Sequence, residues 1–443
     1  MRRVVLIALC FLAAAPGTAA AAPPWGAPQD LSGPNLFIDG PRLAVTGDGA
    51  VALGWTWQDG IGNAARFGVH RAALAAGATA AGSTGALPAA TAAGPVVAGA
   101  TRTAIATLAE PRDPTTGTWR IGVAFGRLTG GYGAVRTVTA QRARLVGPQL
   151  AAAPDGAMAL AWWEDRGTAN DRVMVSLRRP GGSFGAPARL ATGRIRSVSV
   201  AIGARGDVLV AWDARGTVQA RVRPAGRGFG STDTIASEDA YSADLRTAVS
   251  AQGRPVVAWR AQFRSEGGTS GPAYVQAAVR PLGNSRFRPA ELLERTDATR
   301  ARPGIGLALD AAGAPVVAWT GADATGPRVR VVRSTSSLRF AAPQDVSAAG
   351  LDVQLADLAA DARGRLAAIW TVDAFERTSR VQAAVAPPGG ALGAPEDVSP
   401  AGTEAYEPRI AFAGAGPAVA LYCARPRGEA RPVQTFAQLA LRR

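Results

Sequence analysis

An apolar strand that ends in a large aromatic residue recurs along this chain, and each copy follows a glycine that lies six residues before the aromatic. The glycine and aromatic of each copy are Gly49 and Trp55, Gly156 and Trp162, Gly206 and Trp212, Gly253 and Trp259, Gly313 and Trp319, Gly364 and Trp370, and Gly416 and Tyr422. An eighth, degenerate copy at residues 103–108 carries Leu108 in place of the aromatic. A unit that returns about every fifty residues indicates a repeat architecture.

Each repeat predicts four strands. A short apolar strand a, such as residues 41–45, is followed by a tight turn in which glycine supplies the positive φ that the turn needs. Strand b ends on the aromatic residue. Strand c alternates apolar and polar positions, as at residues 218–222 and 275–279, which is typical of a half-buried strand. A Pro-Gly turn then leads to strand d, which carries the phrase Ala-Pro-x-x-Leu/Val-Ser.

Four-stranded units with this period predict an all-β fold, a β-propeller with one blade per unit. The strand-b aromatics would fill the space between neighbouring blades. The predicted c strands count eight blades: residues 67–74, 119–125, 172–177, 218–222, 274–279, 328–332, 380–385 and 433–437. A seven-bladed ring, with the weak second copy as an insertion, remains an alternative.

The strand-d phrase also occurs near the start of the chain. Residues 27–32 read Ala-Pro-Gln-Asp-Leu-Ser, close to residues 342–347 and 394–399, whereas the last repeat, residues 408–441, has no strand d of its own. We therefore predict that the N-terminal strand completes the last blade and covers a sheet edge that would otherwise be exposed.

The first 22 residues predict a secretory signal peptide. Arg2 and Arg3 precede an apolar stretch that is too short to span a bilayer comfortably, and small residues supply a cleavage site. The mature chain, residues 23–443, is then one exported propeller, secreted or held at the cell envelope, and we expect a monomer. Cys10 leaves with the signal, so Cys423 remains alone, without a disulfide, and is expected to be a small buried hydrophobe.

The pattern Asp-x-x-Gly-x5-Trp, then Val-Gln-Ala, a Pro-Gly turn and Ala-Pro, resembles that of secreted bacterial β-propeller repeat proteins of unassigned function. The resemblance implies the fold and no particular activity. Sialidases are also propellers, and the similarity to them is weak. The Trp here stands nine residues after Asp310 and Asp361, and the sialidase Phe-Arg-Ile-Pro motif is absent.

All 48 basic residues are arginines, and the formal net charge is +15. Without lysine, Schiff-base chemistry is excluded, while planar guanidinium groups suit carboxylate, sulfate or phosphate. The single histidine, His70, is expected on the surface of a strand, and one histidine cannot form a His-rich zinc site. We expect no cofactor, no metal and no specific nucleic-acid partner.

The d–a connections and b–c loops of a propeller share one face, and here these loops vary and carry charge. Candidate ligand-binding residues on this face are Tyr241, Asp239, Glu404, Tyr406, Glu407, Asp352, Arg42, Arg302 and Arg409. Carboxylates beside tyrosines and arginines suit a polar sugar, which predicts a non-catalytic binding or scaffold module for polysaccharide or an extracellular protein. The alternatives are a glycan-active hydrolase or lyase using Tyr241 or Tyr406, and a purely structural role with solvated loops.

Overall fold

The structure is a computed structural model that describes a set of ranges along the chain: residues 24–33, 37–59, 66–87, 92–99, 102–111, 117–127, 131–237, 241–264, 270–296, 304–373, 379–426 and 435–442. Strands account for nearly all of its regular structure, and one turn of 3-10 helix spans Thr168–Asn170. The predicted signal peptide, residues 1–22, lies outside the described residues.

Eight antiparallel sheets form the blades of a propeller, and in every sheet except the last the strands follow chain order from a to d. The first strand is β1 (Gln29–Asp30). Blades one and two comprise β2 (Phe37–Val45), β3 (Val51–Asp59), β4 (Arg66–Leu74) and β5 (Gly85–Leu87), then β6 (Ala92–Ala98), β7 (Thr103–Ala109), β8 (Trp119–Arg127), β9 (Gly131–Tyr132) and β10 (Arg136–Gln141). In blade two β10 is the outer strand, and β9 is a short extra strand that also pairs with β8.

The middle blades follow the same plan. Blades three and four comprise β11 (Arg144–Ala152), β12 (Met158–Asp165), β13 (Asp171–Arg178) and β14 (Ala188–Gly193), then β15 (Ile195–Ile202), β16 (Val208–Ala214), β17 (Thr217–Arg223) and β18 (Asp233–Ser237). Blades five and six comprise β19 (Tyr241–Val249), β20 (Pro255–Arg264), β21 (Ser270–Val279) and β22 (Glu291–Thr296), then β23 (Ile305–Leu309), β24 (Pro315–Asp323), β25 (Gly326–Arg333) and β26 (Gln344–Asp345).

The last two blades bring the chain back to its start. They comprise β27 (Val353–Ala360), β28 (Leu366–Val372), β29 (Arg380–Ala386) and β30 (Glu396–Asp397), then β31 (Thr403–Phe412), β32 (Ala418–Pro426) and β33 (Phe436–Leu441). The inner strands of consecutive blades contact one another all the way round, and β31 contacts β2, so the ring is closed. The blade count of eight is therefore confirmed, and the seven-bladed alternative is wrong.

The predicted N-terminal closure is confirmed. β1 pairs antiparallel with β33, with Gln29 opposite Leu439 and Asp30 opposite Gln438, and so becomes the fourth strand of blade eight. Leu31, just beyond the strand, donates its N–H to the carbonyl of Ala437 at 2.8 Å and is buried. Strand c of this blade begins at Phe436, later than the residues 433–437 that were predicted, of which 433 and 434 lie outside the described residues.

The strand-b aromatics lie between blades, as predicted. All seven are fully buried, and each packs against the preceding blade. Trp319 of blade six, for example, shares a cluster with Val275 of blade five, and Trp55 of blade one shares a cluster with Cys423 of blade eight. The packing of a strand-b aromatic against the preceding blade is therefore repeated around the ring and also closes it, so these aromatics are structural. Cys423 is a buried apolar residue, as expected.

Candidate functional site

A cavity of about 740 Å³ lies at one end of the inner strands, over the centre of the ring. Strand a of blades one, five, six, seven and eight supplies most of its wall, and Thr56, Thr371 and Arg425 of neighbouring b strands complete it. Its lining is more polar than apolar, and its size is that of a small-molecule site.

Five of the nine predicted site residues line this cavity, namely Arg42, Glu404, Tyr406, Glu407 and Arg409. Of the remaining four, two lie in described parts of the chain outside the cavity wall, and two lie outside the described residues. Asp352 directly precedes β27, and its carbonyl accepts a hydrogen bond from the N–H of Asp373 at 2.6 Å. Tyr241 is the first residue of β19, while Asp239 and Arg302 lie outside the described residues.

Four residues that were expected in the d–a connections before blades five and eight lie in strands instead. Glu404, Tyr406 and Glu407 belong to strand β31 itself, and Tyr241 belongs to β19. The cause is a β-bulge in strand a, where pairing shifts register between Tyr406 and Arg409 in blade eight. Glycine or proline at a bulge resembles a loop signal in the sequence, although the strand continues beyond it.

Two arginines occupy matching positions in the adjacent blades eight and one. Arg409 follows Pro408 after the bulge of β31, and Arg42 follows Pro41 after the corresponding bulge of β2. Each guanidinium donates back to the carbonyl of its own preceding proline, Arg42 at 2.9 Å and Arg409 at 2.8 Å. Burial, together with the positive charge of Arg409, lowers the pKa of Arg42 to about 10, so the side chain remains protonated at neutral pH.

A carboxyl pair lies beside these arginines. Glu407 accepts a hydrogen bond from the N–H of Gly40 at 2.9 Å, which joins blade eight to blade one. Burial within the cavity wall raises the pKa of Glu407, and a hydrogen bond to the Asp39 carboxyl and the charge of Asp39 raise it further. Glu407 therefore takes up a proton more readily than an isolated glutamate would.

The other charges of the cavity wall are matched internally. Arg425 binds Glu404 through two hydrogen bonds, with Nε to Oε2 at 2.8 Å. Arg246 pairs with Asp244 two residues before it on β19. Asp39, Asp244, Arg246 and Arg425 were not predicted as site residues. The Pro-Arg that recurs at 41–42 and 408–409 marks only Arg42 and Arg409, which were predicted, and Arg246 and Arg425 have no such signal.

Tyr406 and His70 are less available for chemistry than their residue types suggest. Tyr406 packs against the core between blades eight and one, and burial raises the pKa of its hydroxyl. His70 was expected at the strand surface, which is wrong, because it is half-buried between Trp55 and Trp57, whose rings lie 5.9 and 5.4 Å from it. Burial there lowers the pKa of the imidazole.

The described ranges hold no group of three or more His, Cys, Asp or Glu that could bind a metal ion. The aspartates of the a–b turns are engaged with their own backbone: Asp310 Oδ1 accepts the N–H groups of Ala312 and Ala314 at 2.9 and 2.8 Å. In the same part of the chain, no helix is long and apolar enough to cross a membrane.

A second cavity, of about 950 Å³, lies on the opposite face between blades seven, eight and one. Its wall is mainly apolar and includes Phe412, Leu439 and Leu441. Its two arginines are already engaged, Arg365 with Asp361 at 2.7 Å and Arg442 with Glu396 at 2.8 Å. Of these two cavities, the smaller central one is where charged groups converge without all being in ion pairs.

No family model matches the chain, and no curated protein matches it. Among solved structures, the BP39L lectin from Burkholderia pseudomallei is similar at a TM-score of 0.55 and 12% identity, covering 82% of this chain and 100% of the lectin. An ulvan lyase of a polysaccharide lyase family aligns at a TM-score of 0.46 and 11% identity, over 79% of this chain and 91% of the lyase.

A leech intramolecular trans-sialidase aligns at a TM-score of 0.40 and 9% identity, over 91% of this chain and 68% of that one. The lectin structure agrees with the predicted propeller fold. At these identities the likeness concerns the fold alone.

Proposed function

We propose that this chain is an exported carbohydrate-binding propeller and that its ligand enters the central cavity. The observation that carries the proposal is the convergence of carboxyl and guanidinium groups from blades one, five and eight on one cavity of about 740 Å³. Carboxylates accept hydrogen bonds from sugar hydroxyls and guanidinium groups donate to sugar oxygens, so such a wall suits a polar saccharide. The propeller fold shared with a lectin supports this choice without deciding it.

A glycan-active enzyme is the second candidate. The observation that brings it forward is that Asp39 and Glu407 both line the cavity, where Glu407 accepts the N–H of Gly40, the residue after Asp39. One detail favours binding over catalysis. A tyrosine acting as the base of a lyase needs a lowered pKa, and burial raises the pKa of Tyr406.

The test is binding of the purified protein to an array of neutral and anionic glycans at low and high salt. We expect salt-resistant binding to one class of glycan. Glu407→Gln should weaken that binding about tenfold, because hydrogen bonds to a charged group contribute about 1.5–3 kcal/mol. Asp59→Asn removes one charge from an exposed strand end outside the cavity wall and should leave binding unchanged.

Two results would contradict the proposal. Binding to no glycan would exclude carbohydrate recognition and direct attention to a protein partner. Release of reducing sugar that is lost in Glu404→Ala or Tyr406→Phe would establish catalysis and replace the binding function by the enzymatic one.

A further inference from the structure

Resting on the proposed carbohydrate-binding function, we propose that the ligand is an acidic saccharide whose anionic substituent docks between Arg42 and Arg409. The shared chemistry is that of a carboxylate or a sulfate ester, either of which matches the planar donor fork of arginine. Neutral sugars would satisfy the hydrogen-bonding groups of the cavity but would bring no anion into ion-pair contact with either arginine.

Arg42 and Arg409 have no ion-pair partner among the described residues. Among the ion pairs between residues that the structure describes, none includes Arg42 or Arg409. Their only hydrogen bonds there go to the carbonyls of the adjacent prolines. Two like charges on neighbouring inner strands, both facing one cavity, are unfavourable in the free protein. An anion between them would convert that repulsion into attraction.

The carboxylates near the two arginines form hydrogen bonds or ion pairs with other groups. Glu404 and Asp244 are bound by Arg425 and Arg246. Asp357 lies beneath Arg409, where its two carboxylate oxygens accept the N–H groups of Leu358 at 2.9 Å and Ile410 at 3.1 Å. Glu407 accepts the N–H of Gly40 at 2.9 Å, beside Asp39. None of these groups is in ion-pair contact with either of the two arginines.

Four arginines and four carboxyls line the cavity: Arg42, Arg246, Arg409 and Arg425 against Asp39, Asp244, Glu404 and Glu407. Two of each are joined in ion pairs, Arg246 with Asp244 and Arg425 with Glu404. Arg42 and Arg409 therefore remain as the two arginines of the wall that are not in ion-pair contact with a described carboxylate.

The matching sequence positions in other blades make the arrangement specific. The bulge residues Gly147-Pro148 in blade three and Gly94-Pro95 in blade two are followed by Gln149 and Val96, not by arginine. By strand register, Arg246 of blade five holds the same position, opposite Ala258, as Arg42 and Arg409 hold opposite Gly54 and Leu421, but Arg246 is paired with Asp244. The two arginines at this position that have no ion pair among the described residues lie in blades eight and one, which ring closure makes neighbours.

The experiment measures calorimetric affinities for three sets of oligosaccharides: oligomers of galacturonate, glucuronate and mannuronate; sulfated galactose oligomers; and neutral oligomers of galactose, glucose and mannose. The anionic sets should bind in high salt, and comparison of the first two sets identifies the anionic group. Arg42→Gln with Arg409→Gln should weaken that binding at least tenfold for each arginine. The control Arg179→Gln with Arg227→Gln removes the same charge from exposed residues of the opposite face and should have no effect.

A second measurement is independent of affinity. Anionic oligosaccharide should raise the melting temperature of the wild type by mass action and not that of the variant. If the glutamine variant does not fold, Arg42→Lys with Arg409→Lys keeps both charges, removes the fork, and should still weaken binding.

The outcomes separate the two proposals. Neutral oligomers that bind as tightly as acidic ones, with no effect of the arginine variant, would overturn the acidic ligand and retain carbohydrate binding. Anionic binding that disappears in salt, or that the control variant weakens equally, would overturn the docking site as non-specific attraction. Binding of no oligosaccharide in any set would overturn the carbohydrate function itself.

Discussion

Glu407 has a backbone conformation that its counterparts in other blades leave to glycine. Its φ is 51°, in the left-handed region, and the corresponding residues of blades one and three are Gly40 and Gly147, with φ of 60° and 57°. A side chain costs about 1 kcal/mol in this region. A glutamate that accepts this strain and faces a cavity is a functional candidate on grounds independent of its pKa.

Comparison of Glu407→Gly with Glu407→Ala should isolate this strain. Both remove the hydrogen bond from Gly40 N–H, but only glycine relieves the left-handed φ. We expect the glycine variant to be more stable than the alanine variant by about 1 kcal/mol in urea unfolding. Both should lose ligand binding. An alanine variant as stable as the glycine variant would show that the backbone is not strained at this position.

At the scale of single elements, nearly every polar residue of the recurring strand-d phrase makes a specific hydrogen bond. Its serine accepts a hydrogen bond from a buried N–H of strand c: Ser32 from Ala437, Ser347 from Val329 and Ser399 from Val381, each at 3.0 Å. The glutamine holds the c–d turn of the next blade. Gln29 exchanges two hydrogen bonds with Ala81, and Gln344 does the same with Leu392.

Blade seven shows how the phrase adapts. Its phrase carries Glu396 in place of glutamine, and the carboxylate binds Arg442 and the indole N–H of Trp25, at 2.8 and 3.0 Å. The next blade here is blade eight, whose outer strand comes from the N-terminus. An ion pair therefore replaces the amide contact where the two ends of the chain meet.

Replacing the phrase serine should destabilise the fold although the substitution is small. Ser347→Ala leaves the N–H of Val329 buried without a partner, which costs about 1–3 kcal/mol. Chemical denaturation of this variant should show that loss in the free energy of unfolding. Ser336→Ala, at an exposed turn position, is the matched control and should change stability by less than about 0.5 kcal/mol. Equal effects of the two substitutions would show that the phrase is not held by its hydroxyl.

At the scale of the whole molecule, the ring depends on a strand from the far end of the chain. β1 covers the edge of β33, and the buried side chains of Trp25 and Leu31 accompany it. The described residues contain no disulfide that could fasten the ring, since Cys423 is free. Closure therefore rests on strand pairing and apolar burial.

Deletion of residues 23–33 should lower the melting temperature far more than loss of a terminal tail. Burial of Trp25 and Leu31 alone contributes at least about 4 kcal/mol. A peptide of residues 24–33 added in excess should restore part of the melting temperature. The same peptide with Leu31→Asp is the control and should not, because it would place a charge in the core. An unchanged melting temperature after the deletion would contradict closure by β1.

The sequence by itself determined the propeller, its eight blades and their closure. Those features follow from patterns that repeat in every unit, such as the glycine before the strand-b aromatic and the strand-d phrase, and each repeat meets its neighbour in the same way. The sequence also placed Arg42, Glu404, Tyr406, Glu407 and Arg409 on one face. It did not reveal that β31 continues past its bulge, because Glu407-Pro408 has the composition of a loop.

Only the tertiary structure decided how the charges on that face are paired. Asp39 and Glu407 are hundreds of residues apart in sequence, and ring closure alone makes blades one and eight neighbours. Glu404, a candidate for free chemistry in the sequence, is bound by Arg425, whereas Arg42 and Arg409 have no carboxylate in ion-pair contact among the described residues. Whether a charge is matched depends on distances across the cavity, which no periodic pattern in the chain encodes.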